Sequence, residues 1–180
     1  MRLSVPDDLA ERGAWLQDRA STVALALSLV PFAGVAFLWF MGAVRDRIGY
    51  LEDQFFSTVF YGSGLLFLAM TFLSAALAGG MLAAATAGAA ATIDRGLYTL
   101  IRAVILRITS AYAVKMAGVF MISLATIAIR TEVLPRWLTL LSYALALGLL
   151  LSIGSSLWVE LIFPAWVFAV SACILVSNRR

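Results

Sequence analysis

Three stretches of this chain carry no charged residue: Ala20 to Val44, Gln54 to Ile93 and Trp137 to Val159. The hydrocarbon core of a bilayer takes about 20 helical residues to cross, so each run is long enough for a crossing. Charged residues gather in the short segments between the runs. That alternation predicts an all-α, polytopic transmembrane helical bundle of about five spans, at about 21–43, 55–79, 108–129, 137–153 and 158–176. Residues 1–20 form an N-terminal interfacial segment, and 21–178 a single transmembrane helical domain.

The polar segments read as helix ends. Ser4 with Asp7 three residues on resembles a capping box, Pro6 suits a first turn, and Asp7, Asp8 and Glu11 match the positive end of a helix dipole. A short interfacial helix with Leu9, Trp15 and Leu16 on its apolar side follows. The uncharged run after it is longer than the 7–15 residues of a signal-peptide core, so it reads as a retained first span. In the first connection, Arg45 and Arg47 close one helix, Gly49 caps it, and Glu52 and Asp53 open the next, each charge matching its dipole.

The second run is about twice as long as one crossing requires. A break is expected at Gly79-Gly80, followed by an Ala-rich extension in which Ala76, Gly80, Ala84 and Gly88 repeat a small residue every four positions. A sixth span over 81–101 is the alternative, at the cost of placing Asp94 and Arg95 in the membrane. In the third span Lys115 falls about 10 Å below the hydrocarbon edge, while Arg102 and Arg107 lie in the interfacial layer as candidate lipid-headgroup contacts. Pro135, Arg136 and Trp137 open span four, and Glu160 opens span five, where Pro164 fits the first turns. Five spans put Glu160 on the same membrane face as Lys115. The candidate intramembrane charge pair is therefore Lys115, or else Arg107, with Glu160, and snorkelling to headgroups competes with it. Arginines fall on both sides, so the positive-inside rule leaves orientation open.

Composition narrows the chemistry. Hydrophobic residues make up 63% of the 180, charged residues 13%, and mean hydropathy is +0.98, so the net charge of +3 reflects topology rather than nucleic-acid binding. His is absent and Cys173 is the one cysteine, which removes internal disulfides, imidazole–thiolate zinc sites and His-ligated haem; no cofactor is expected. Ser63, between two glycines, lacks a histidine base, a Ser–Lys dyad would need Lys115 with Ser110 or Ser123, and Asp46 and Asp53 are too few for metal-assisted phosphotransfer. The chain does not read as an enzyme. Two readings remain: an accessory or scaffold component that packs with itself or a larger membrane complex, and a small-solute or ion transporter working as an oligomer, with Lys115, Glu160, Thr109, Ser110 and Ser123 along its path.

The stretches FLWFMGAVRDRIGYLEDQFFSTVFYGSGLLFLAM, YAVKMAGVFMISLATIAIRTEVLPRWL and WVELIFPAWVFAVSACILV resemble an uncharacterised family of small bacterial multi-pass inner-membrane proteins. The resemblance spans roughly residues 30–78 and 108–176. It implies an all-helical protein of the bacterial plasma membrane and brings no activity with it. Arg45, Asp46, Arg47, Glu52, Asp53, Lys115, Arg130, Pro135, Arg136 and Glu160 lie within these segments, without assigned roles.

Overall fold

The computed structural model describes residues 9–48, 54–86, 95–131, 134–152 and 157–177; within these, the side chains of residues 9–19 and of Ile48, Ala85, Thr86, Arg95, Leu157, Trp158, Glu160 and Ser177 lie outside the description. The described residues are helical, with no strand among them. In order they form α1 (Leu9–Ile48), α2 (Gln54–Thr86), α3 (Arg95–Arg107), a π-helical turn (Ile108–Ala113), α4 (Val114–Thr131), α5 (Arg136–Leu151) and α6 (Leu157–Ser177). Three stretches are long and apolar enough to cross a membrane: Ala20–Arg47, Gln54–Ala84 and Gly96–Thr131, the last joining α3, the π turn and α4. Arg136–Leu151 and Leu161–Val176 are shorter apolar helices.

The helices run up and down. Leu27 meets Gly79 and Arg45 meets Tyr61, so α1 and α2 are antiparallel. Arg130 lies over Phe56 while Thr109 reaches Ser74, which makes the α3–α4 rod antiparallel to α2. Thr126 pairs with Tyr143 and Lys115 with the end of α5, and Trp166 of α6 returns to Ser142 of α5. One end of the bundle therefore gathers Arg45, Arg47, Arg130 and Arg136, as the charge pattern anticipates. The first turn of α6, with Glu160, falls at the other end, level with Lys115.

One expectation about helix ends is corrected. α2 continues through Gly79-Gly80 without a break, as a single helix of 33 residues. Gly79 lies near Leu27, a Cβ on Gly80 would meet nothing, and the surrounding alanines favour helix, so the glycine cost of about 1 kcal/mol each is outweighed. From Leu9 the N-terminal segment is helical and runs into the first span, as the start of an α1 that is 40 residues long and carries Pro31 within it. Neighbouring helices and local adjustment can satisfy the carbonyl that Pro31 frees. Residues 1–8 and 87–94 lie outside the described residues, as do Ser4, Asp7 and the Gly88 end of the small-residue repeat.

The core centres on Phe120 of α4, fully buried and ringed by Phe37, Phe40, Phe60, Phe163 and Trp166. Phe60 stacks on it at 4.4 Å between centroids, the offset-stacked geometry that aromatic quadrupoles favour. Gly64 makes room for this cluster: a Cβ there would stand 2.8 Å from Met41 Sδ and 2.9 Å from Phe120 Cε2. The Gly62-Ser63-Gly64 triplet is thus packing chemistry, and the Ser63 hydroxyl donates back to Val59 and Phe60 of its own helix.

Candidate functional site

Lys115 is the only lysine in the chain, and its surroundings explain why a cation is tolerated at this depth. Its ammonium donates to three backbone carbonyls at the C-terminus of α5: Leu149 at 3.0 Å, Ser152 at 2.8 Å, and Leu150 at shorter range. An α-helix ends with four carbonyls that no intrahelical N–H reaches, and they form the negative pole of its dipole. An ammonium has three N–H donors, and here each finds an oxygen. The Ser152 hydroxyl closes the arrangement by donating to Leu149 O at 2.7 Å.

The need for this cap follows from the length of α5. Its 16 residues rise about 24 Å, short of the ~30 Å hydrocarbon layer. With Arg136 and Trp137 placed at one interface of a bilayer, the far end of α5 would stop inside the apolar layer, where water is scarce and an unsatisfied carbonyl costs several kcal/mol. A charged donor from the neighbouring helix resolves both problems. The helix end solvates the cation, and the cation solvates the helix end.

Two local features aim Lys115. Gly118, one turn further along, brings α4 close to α5: a Cβ there would lie 3.0 Å from Leu150 Cγ and 3.2 Å from the Ala146 carbonyl oxygen. Before Lys115 comes the π turn, where the Val114 N–H bonds back to Thr109 O, five residues earlier. Along α3 the less exposed positions are Tyr98, Ile101 and Ile105, followed by Ile108, a 3.6-residue face that would next select Tyr112. Tyr112 is exposed and Ala113 is buried instead. The π turn therefore adds one residue to the register, and without it Lys115 would be rotated by about 100° away from α5. Thr109 ties the turn to α2 by donating to Ser74 Oγ at 3.2 Å.

Further along, the interior is held by two more side-chain bonds. Trp166 Nε1 donates to Ser142 Oγ at 2.7 Å in a fully buried setting, and Thr126 and Tyr143 share a hydrogen bond of 2.7 Å. The chain was compared with family models, curated proteins and solved structures. None of them matches. The reading of the site accordingly rests on its own geometry.

The other sequence candidates fall in different places. Glu160 belongs to the first turn of α6 at the Lys115 end of the bundle, but its side chain lies outside the described residues, so the Lys115–Glu160 distance is not among the observations. Arg102 and Arg107 are exposed on α3, with Arg107 in its last turn. The hydroxyls considered as partners for Lys115 turn to their own helices: Ser110 to Leu106 O, Ser123 to Val119 O at 2.9 Å. Among the described residues no cluster of His, Cys, Asp and Glu could hold a metal ion. Cys173 is half-buried against the core. Sequence reasoning missed the carbonyls of α5 as the partners of Lys115. The signal was present in the brevity of span four, ending in Ser152 and Gly154 inside the membrane thickness.

Proposed function

We propose that this chain is an accessory or scaffold component of a bacterial plasma membrane, a rigid helical brace that packs with itself or with a larger membrane complex. The observation that carries the reading is how Lys115 is used. Its three donors go to the end of a neighbouring helix, so the one lysine of the interior serves to hold two helices in register. Thr126 adds a second bond between the same two helices, and Ser142 and Thr109 tie α5 to α6 and the π turn to α2. A substrate path requires polar groups that exchange partners, whereas these are committed to one another. Outside this braced interior, α1 and α2 present broad apolar faces, including Leu29, Phe32, Leu65 and Leu66, to lipid or to a partner. The bacterial setting rests on the family resemblance of the three segments.

The π turn favours a second reading, because such turns recur at functional sites. In a small-solute or ion transporter, Lys115 would leave the α5 carbonyls during a cycle. Native mass spectrometry of the protein extracted gently from its own membrane separates the two. A stoichiometric larger partner is the expected result. A lone homo-oligomer whose solute flux in vesicles is altered by Lys115→Arg would replace the scaffold reading with transport.

A further inference from the structure

Where α4 and α5 diverge toward their connecting turn, they leave a cleft of about 550 Å³. Ala128, Leu134 and Thr139 form its buried floor, Ile129 and Leu140 its exposed walls, and Arg136 its polar lip. We propose that this cleft binds an anionic phospholipid of the surrounding bilayer, with an acyl chain against Ala128 and Ile129 and the phosphate on Arg136. The proposal holds whichever function the bundle serves.

Size, position and charge converge on that occupant. The volume falls in the roughly 300–1,000 Å³ range of ligand sites. Its lining of Ala128, Ile129, Leu134, Pro135 and Leu140 is the apolar surface that an acyl chain needs. The cleft opens at the end of the bundle where Trp137, itself exposed, marks the interface between hydrocarbon and headgroups. An acyl chain in the cleft would therefore carry its headgroup at the level of Arg136. A guanidinium matches phosphate oxygens with two parallel N–H bonds. Charge agrees locally: Arg136 is the one charged residue of the cleft lining, while the acidic Glu52, Asp53 and Glu132 of the connections at this end lie outside the described residues. The Thr139 hydroxyl donates to Pro135 O at 3.3 Å, so its proton is already used within the first turn of α5.

The test is native mass spectrometry of the full chain in detergent, titrated with phosphatidylglycerol or phosphatidylcholine of equal chain length. Wild type should retain one phosphatidylglycerol in preference to phosphatidylcholine. Arg136→Gln should lower that occupancy about tenfold, the worth of one charge-assisted hydrogen bond, with Arg136→Lys intermediate. Ile129→Trp, which fills the cleft from its wall, should lower retention of both lipids. Equal retention of the two lipids by wild type, or unchanged occupancy in Arg136→Gln, would overturn the proposal. So would a photoreactive group at Leu140 that cross-links to a second copy or another protein instead of lipid.

Discussion

The rod from Gly96 to Thr131 and the helices α1 and α2 are similarly apolar, yet their surroundings differ. In the most apolar window of the rod 61% of residues are buried, against 11% in the corresponding windows of Ala20–Arg47 and Gln54–Ala84. In water, hydropathy separates inside from outside. In lipid the hydrocarbon is as apolar as leucine, so burial is sorted by shape and by polar contacts instead. α4 lies between α2 and α5, and Gly118, Lys115 and Thr126 make its close and polar contacts to α5. α1 and α2 show lipid-facing surface, with close approaches only at Gly34, where a Cβ would overlap the Phe72 ring, and at Gly64.

The contrast can be broken most forcefully at Lys115. Lys115→Met keeps the volume and removes the ammonium from the α5 carbonyls, leaving the Ser152 hydroxyl on Leu149 O. The expected loss is about 3 kcal/mol, the upper end of the cost of leaving buried polar groups unsatisfied, read as thermal unfolding in nanodiscs or as failure to accumulate in membranes. Lys115→Arg should recover part of it. A smaller effect is expected at Gly118→Val, where the added methyls meet Leu150 and the Ala146 carbonyl; overpacking of this kind costs about 1–3 kcal/mol. A cysteine cross-link spanning α4 and α5 would then form more slowly. Ser142→Ala removes the Trp166 partner and should cost about 1 kcal/mol, near the modest value of interhelical hydrogen bonds in membranes. At the other extreme, Phe32→Ala on the exposed face of α1 should leave monomer stability within about 0.5 kcal/mol. Its effect belongs to association, as a weaker yield of any co-purifying partner.

The fold was legible where charge marks helix ends. Arg45 and Arg47, Arg130, and Pro135 with Arg136 delimit helices where the pattern places them, because lipid leaves few other positions for these residues. Helix continuity was not legible. Gly79-Gly80 looks like a break in one-dimensional reading, but in an apolar setting an intact helix satisfies its own backbone, and interrupting it costs more than two glycines do. At the candidate site, the end of the bundle that Lys115 occupies followed from counting residues. Its partners did not, because the search was for a carboxylate, and the groups that hold it are main-chain oxygens, which sequence does not distinguish from any others. The π turn was equally hidden: ITSAYA carries no proline or glycine to announce a change of register.

The central claim is that the Lys115 ammonium caps α5. Because the chain has one lysine, 15Nζ-lysine labelling is site-specific, and solid-state NMR in bilayers can measure its dipolar coupling to 13C-carbonyl leucine and serine. The account predicts a coupling to backbone carbonyl carbons at roughly hydrogen-bonding range, for leucine and serine labels alike. A lysine nitrogen that couples to lipid phosphorus or to a glutamate carboxyl carbon, with no carbonyl coupling, would contradict it.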